Sequence, residues 1–321
     1  MTRQEAPYAT EIRRYGEGAV AEAARLILDG LAVALPTETV YGLAADATNE
    51  AAVARVFEAK GRPAFNPLII HVGGVEQADE LAKVPDAAKS IATLYWPGAV
   101  TMVVPRRANS RIAPSATAGL RTVALRCPAH RAIRDVLAAC GRPLAAPSAN
   151  ASGGISSTTA EHVLRSLGGR IPLILDDGPT EHGIESTIIG FDEDRITLLR
   201  PGPVDFAELA AAAQLSKGKA PGGVQAPGQL ASHYAPSKPL RLKATTAAPD
   251  EWLIGFGSVK GDDSLSAKGD LGEAAARLFE ALHRADASGR AAIAVAPVPE
   301  TGVGLAINDR LRRAAAPRSI L

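Results

Sequence analysis

Leu31-Ala32-Val33-Ala34-Leu35-Pro36-Thr37-Glu38-Thr39-Val40-Tyr41-Gly42-Leu43 is an apolar run that breaks at a proline into a polar loop. A short apolar run ended by a turn signal reads as a buried strand, and ligands gather at such strand-to-loop junctions in α/β sheets. Downstream, Asn49 is placed to cap a helix that stops at Gly61. Strand-like runs follow at residues 68–72, 100–104, 122–125, 144–146, 172–175, 187–189 and 196–199. Helical patterns at 86–95, 130–139 and 159–167 lie between several of them. The alternation predicts an α/β sheet, and the three closely spaced late strands make it mixed rather than all-parallel.

Residues 216–239 change character, with Gly218, Pro221, Gly222, Gly223, Pro227, Gly228, Pro236 and Pro239 and almost no apolar periodicity. This reads as a linker. Beyond it, patterns at 252–256, 271–282, 291–295 and 305–314 predict a strand–helix–strand–helix unit. The expected organisation is a catalytic domain over 1–207, a linker over 208–239 and a small Rossmann-like α/β domain over 240–321.

A chain of 321 residues is long enough for two domains with substantial cores. Its 35 basic and 34 acidic residues nearly cancel, so no global basic field can drive sequence-independent nucleic-acid binding. Any anion contact must come from a local cluster. Aromatics at 4% argue against a base-stacking platform. Cys127 and Cys140 have neither metal-like spacing nor a paired framework, as expected of a reducing cytoplasm. Residues 1–14 are polar, so no signal peptide is expected, and no apolar run approaches the roughly 18–20 residues of a membrane span. A soluble cytoplasmic protein is the expectation.

Two segments carry most of the chemistry. In Lys60-Gly61-Arg62-Pro63-Ala64-Phe65-Asn66-Pro67 and in Pro147-Ser148-Ala149-Asn150, polar or charged side chains stand two residues apart. In extended chain such pairs share a face. Two cations (Lys60, Arg62) and a hydroxyl with an amide (Ser148, Asn150) suit a polyphosphate or nucleotide, although a solvated loop and a turn have the same spacing. Thr39 and Tyr41 could supply hydroxyls after the first strand, where the pattern is equally that of a turn with a capping threonine. An arginine ending a short strand, as Arg126 does after Thr122, can grip a carboxylate in bidentate fashion, which lysine cannot. Arg200 repeats that design. Ser152-Gly153-Gly154-Ile155-Ser156 enters a helix, as phosphate cradles do, and Glu185-Ser186-Thr187 adds a hydroxyl pair. There is no P-loop signature, no complete dinucleotide fingerprint, no Gly-x-Ser-x-Gly elbow and no His-x-x-x-His zinc pattern.

Taken in order, these segments resemble the threonylcarbamoyl-AMP synthases in their long form, a YrdC-like domain joined to a small C-terminal domain. The resemblance rests on residues 36–43, Lys60-x-Arg62-Pro63, Asn66-Pro67-Leu68, Trp96-Pro97-Gly98 and Pro147-Ser148-Ala149-Asn150. It continues through Glu185-Ser186-Thr187, Leu199-Arg200-Pro201-Gly202-Pro203, His233-Tyr234-Ala235-Pro236 and the tail Ile307-Asn308-Asp309-Arg310-Leu311-Arg312. Ala44 departs from the glycine usual there. The resemblance implies a twisted mixed α/β sheet with a concave, basic cavity. It implies a nucleotidyltransferase that condenses L-threonine, bicarbonate and ATP, with Mg²⁺, to threonylcarbamoyl-AMP and pyrophosphate. The product would pass to threonylcarbamoyl-transferase proteins that modify tRNA. By the same resemblance Arg62, Asn66, Thr122, Ser148, Ser156, Arg200 and Tyr234 would contact ATP, with Lys60 and Asn150 beside them. Thr39, His71, Arg126, Ala146 and Ser186 would hold threonine, Arg126 at its carboxylate and Thr39 or Ser186 at its hydroxyl. Lys60, Arg62, Ser148 and Asn150 are the candidate catalytic set, no protein metal site is expected, and the linker is expected to act as a lid. A double-stranded-RNA-binding module is the alternative of another class; near-neutral charge and scarce aromatics count against it. The carbamoyl-transfer domain of hydrogenase maturation proteins normally travels with zinc-binding cysteine pairs, which are absent.

Overall fold

The computed structural model describes residues 7–192, 195–218, 228 and 232–317. The first unit opens with β1 (Glu11–Arg14), α1 (Glu17–Leu28), β2 (Val33–Leu35), β3 (Gly42–Asp46), α2 (Glu50–Lys60) and β4 (Ile69–His71). It continues with α3 (Val75–Leu81), α4 (Asp86–Tyr95), β5 (Val100–Pro105), β6 (Thr122–Arg126), α5 (Arg131–Cys140) and β7 (Leu144–Ala145). It closes with α6 (Ala160–Leu167), β8 (Leu173–Asp176), β9 (Thr187–Asp192), β10 (Arg195–Arg200), α7 (Phe206–Ala213) and β11 (Ser216–Gly218).

These strands form one mixed sheet in the order β1-β8-β2-β3-β7-β4-β6-β5-β9-β10-β11. Both faces are covered, and strand alternation decides which residue goes where. Val33 and Leu35 pack under α1 and α5 with Leu144, Leu173 and Leu175. Ala34, between them, faces the opposite layer with Leu43, Val53, Ile91 and Val163. From α5, Ile133, Val136 and Leu137 are 4% exposed or less, a burial worth roughly 1.5–3 kcal/mol for each side chain. The caps of α2 are as expected: Asn49 accepts the Ala51 and Ala52 N–H groups, and Gly61 takes a left-handed φ of 59°.

Three differences from the sequence expectation have physical causes. β2 begins at Val33 because the Leu31 N–H closes the end of α1 on the Leu26 carbonyl. β3 has no counterpart among the expected strands, because Gly-Leu-Ala-Ala-Asp has weak strand propensity, yet it pairs with β2 and β7 on its two sides, and pairing overrides propensity. The boundary at 207 falls inside α7, which Asp205 caps, and β11 then adds parallel to β10. The first sheet therefore extends to Gly218. Residues 219–227 and 229–231 of the expected linker lie outside the described residues.

The second unit holds β12 (Leu240–Arg241), β13 (Glu251–Gly255), β14 (Asp263–Ser264), α8 (Leu271–Ala287), β15 (Ala292–Val295) and α9 (Gly304–Ala315). Its sheet is parallel throughout, in the order β12-β15-β13-β14. Leu278, Phe279, Leu282, Ile293, Ile307 and Leu311 close its core, and Ile155, Ile184 and Tyr234 of the preceding chain join the same cluster. The two units thus share apolar contact as well as polar links.

Candidate active site

The Pro36–Tyr41 loop joins β2 to β3 and is shaped by its own threonines. Thr37 Oγ1 accepts the Thr39 and Val40 N–H groups at 3.1 and 3.2 Å, and its hydroxyl stands 2.8 Å from that of Thr39. Tyr41 and Leu43 tie this loop to the second signature segment: Leu43 N–H donates to the Pro147 carbonyl and Ala149 N–H to that of Tyr41. Two segments a hundred residues apart in sequence therefore become one wall.

Against that wall lies a cavity that Thr39, His71, Arg126, Ala146 and Ser186 all line, together with Arg62, Ser148, Arg200 and Tyr234. All five residues expected to hold threonine thus face one space. Arg126 is fixed before any ligand arrives: Nε donates to the Gly98 carbonyl (3.1 Å), Nη1 to Thr39 Oγ1 (2.9 Å) and Nη2 to Glu38 Oε1 (2.7 Å). Burial pushes the Glu38 carboxyl up, but the charge and hydrogen bond of Arg126 more than offset it and hold it at about 2. His71 is buried with neither ring nitrogen bonded among the described residues. Burial, with Arg126 adding, presses it down to about 3, so its ring is neutral. Ser186 Oγ lies 2.7 Å from Thr101 Oγ1 and accepts from Arg200 Nη2 at 3.1 Å.

On the other side Arg62 donates to the Asn66 and Pro67 carbonyls at 3.1 and 2.8 Å, and burial, with Arg200 adding, lowers it to about 10. Asn66 is 1% exposed and its amide has no partner on either atom among the described residues. An unsatisfied buried amide is costly and calls for a partner, whether water, an ion or a ligand. Asn150 Oδ1 is likewise unsatisfied, while its Nδ2 bonds the Ala151 and Gly154 carbonyls.

Five of the expected residues do not line the cavity: Lys60, Asn66, Thr122, Asn150 and Ser156. Lys60 turns its ammonium to the Ser148 and Asn150 carbonyls at 2.6 and 2.5 Å, so it straps the Pro147–Asn150 loop from behind. Burial, with Arg62 adding, holds its pKa well below the usual lysine value. Ser156 donates to Glu185 Oε1 at 2.5 Å. Thr122 opens β6, opposite Pro105 and four residues from Arg126, at the end of the strand away from the cavity.

The described part of the linker closes the top. His233, Tyr234 and Gly228 line the cavity. Ala235 N–H donates to the Gly153 carbonyl, and His233 N–H to the Arg313 carbonyl of α9. The segment is therefore pinned to both units. Tyr234 is 1% exposed, holds a left-handed φ of 63°, and its hydroxyl has no partner among the described residues. The space left is about 40 Å³, enough for about three waters. Small-molecule sites run to several hundred Å³, so the space is narrow for a small-molecule site.

Glu38, Glu185, His233 and Arg310 were not expected at the site. His233 is Tyr234's neighbour in a motif already singled out. Arg310 had a sequence signal: with Ile307, Leu311 and Ala314 it falls on one stripe of a helix, a charge in an apolar face.

The Sua5/YciO/YrdC family model, described as "Telomere recombination", matches residues 25–202. The model of the C-terminal domain of threonylcarbamoyl-AMP synthase matches residues 199–316. The threonylcarbamoyl-AMP synthase of Pyrococcus abyssi is 40% identical, over 96% of this chain and 97% of its own. That of Bacillus subtilis is 38% identical, over 94% of each. The crystal structure of P. abyssi Sua5 complexed with L-threonine matches with a TM-score of 0.85 at 38% identity, covering 96% of this chain and 97% of that one. The chain belongs to the threonylcarbamoyl-AMP synthase family, in its long two-domain form.

Proposed function

We infer that this cavity condenses L-threonine, bicarbonate and ATP to threonylcarbamoyl-AMP and pyrophosphate, for the threonylcarbamoyl modification of adenosine in tRNA. The observation that carries the reading is the convergence of three buried guanidiniums, Arg62, Arg126 and Arg200, on one cavity in a chain of net charge +1. In the first step the threonine amine takes the carbon of bicarbonate and water leaves, giving a dianionic N-carboxy-threonine. Its new carboxylate then attacks the α-phosphorus of ATP, and pyrophosphate departs. Both partners are anions, so fixed cations must offset their repulsion.

The remaining N–H groups of Arg126, one on each terminal nitrogen, suit the threonine carboxylate. Thr39 and Ser186 can read the threonine hydroxyl. Neutral His71, with a pKa of about 3, serves as a hydrogen-bonding partner rather than a base. Arg62 and Arg200 oppose the phosphate charge, and the Tyr234 hydroxyl can meet the nucleotide and keep water from the mixed anhydride. Catalysis is then positioning plus electrostatics, with no covalent enzyme intermediate. Both oxygens of Glu38 accept hydrogen bonds, from Arg126 and from the His130 N–H. Those of Glu185 accept from Ser156 and Arg310. In this reading Mg²⁺ would enter on the triphosphate as part of the substrate, where it would screen charge. Among the described residues no helix is long and apolar enough to cross a membrane; the cytoplasm, where tRNA and its threonylcarbamoyl-transferase proteins meet the product, is the proposed compartment. The test is pyrophosphate release by the pure protein. It should require all three substrates, and release from ATP alone at the full rate would refute the reading.

A further inference from the structure

Arg310 heads the fully buried side chains of the described residues by size, with no exposure, and it reaches the first unit from α9. Its Nε donates to Glu185 Oε2 at 2.9 Å, Nη2 to the Glu185 carbonyl at 3.3 Å and Nη1 to the Pro201 carbonyl at 2.7 Å. Its guanidinium carbon lies 5.4 Å from the centre of the Tyr234 ring. Glu185 lines the cavity, a carboxylate in a space where anions are to bind. Arg200 grips the next carbonyl, that of Ser186, at 3.2 and 3.0 Å. Consecutive carbonyls are thus held by two arginines, one from each unit.

A buried carboxylate must have a cation. Burial pushes the Glu185 carboxyl up, and Arg310 first and Arg200 second more than offset it. Arg310 is the cation that hydrogen-bonds its side chain among the described residues, and the other carboxylate oxygen accepts from the uncharged Ser156 hydroxyl. Without Arg310, the charge of Glu185 would fall on Arg200, the guanidinium that opposes the phosphates.

We propose that Arg310 is a positioning residue of the synthase site: it carries the counter-charge of Glu185, so that Glu185 does not compete with the nucleotide for Arg200, and the second unit thereby becomes part of the nucleotide site. This rests on the cavity being the ATP site. The alternative is that Arg310 merely holds the two units together, and the two roles respond differently to removing the carboxylate.

The test uses the full chain with ATP and with threonine in calorimetry, and KM and kcat in pyrophosphate release. Arg310→Met should weaken ATP about tenfold or more, on the scale of a charged hydrogen bond, raising KM for ATP while threonine affinity changes far less. Adding Glu185→Gln to that variant removes the stranded charge and should restore ATP affinity to near wild type. A role that is only structural gives no such rescue. Wild-type ATP affinity in Arg310→Met, or no recovery in the double variant, overturns the proposal. If Arg310→Met does not fold, the double variant decides: ATP binding near wild type supports the proposal, and a loss of about tenfold refutes it. Wild-type protein that fails to bind ATP at all would instead refute the reading of the cavity itself, and is measured first.

Discussion

Arg126 gives three of its N–H groups to Gly98, Thr39 and Glu38, and under the proposed reading this fixation would make it a specific receptor for the threonine carboxylate. Arg126→Lys keeps the charge and loses the fork. Threonine affinity should fall about ten- to a hundredfold, since a charged hydrogen bond contributes roughly 1.5–3 kcal/mol, while ATP affinity stays within a few fold. Calorimetry with unchanged threonine affinity would remove Arg126 from the threonine end. Lys60 stands in another relation to the site, because its ammonium bonds two carbonyls of the Pro147–Asn150 loop. Lys60→Met leaves them unsatisfied at about 1–3 kcal/mol, so the melting temperature should drop along with adenylate yield. Lost activity with an unchanged melt would place the ammonium on substrate instead. The five residues that the resemblance assigned to threonine do line one cavity, and that assignment came from the family pattern, since His71 belongs to none of the short motifs. Lys60 was legible as a residue and not as a direction: two cations spaced i, i+2 imply a shared face only in extended chain. Lys60 ends α2, and Gly61 turns the chain before Arg62.

At the scale of elements, the segment from His233 to Pro236 behaves as a clasp, held by Gly153 on one side and Arg313 on the other. Its single proposed chemical act is the Tyr234 hydroxyl, which spends no hydrogen bond on the protein among the described residues. Tyr234→Phe should therefore leave thermal stability unchanged or slightly raised, yet weaken ATP retention and lower the yield of intact adenylate. If both stay at wild-type values, the segment only joins two units. The composition shift at residue 216 was visible because glycine and proline punctuate it, and the alternation of strands and helices was visible in its periodicity. β3, α7, β11 and the two-residue β12 and β14 were not, since such short elements exist through their partners. The ion pair of Arg310 with Glu185 spans 125 residues, and no local pattern announces a contact of that range.

At the scale of the whole molecule, the two units meet through a pair of stacked histidines, His162 and His283, with ring centres 3.8 Å apart. His162 Nε2 faces Glu280 Oε2 at 3.0 Å, and its Nδ1 accepts the Thr158 N–H; His283 Nε2 donates to the Ser156 carbonyl at 3.1 Å. Burial depresses both to about 4, with Arg165 and Arg284 adding at His162 and His162 itself adding at His283. His71 and His233 are depressed to about 3, again by burial first. All four lie below the ordinary value of 6.5, so between pH 6.5 and 4 the unfolded chain binds more protons than the folded one. Stability is then full above about pH 6.5 and falls as pH drops toward 4. Glu38, held at about 2 against 4.5, acts in the same direction only at lower pH. Melting curves should shift downward from pH 7.5 to 5, and a flat profile would mean these rings are not buried neutral.

The central claim is that one cavity joins three small substrates through an adenylated carbamate. Incubation of the pure protein with ATP, L-threonine and carbon-labelled bicarbonate, followed by mass analysis, tests it most directly. The account predicts one product containing AMP, threonine and a single labelled carbon, with one pyrophosphate released for each. An AMP–threonine product without the labelled carbon, or pyrophosphate release that ignores bicarbonate, would contradict it.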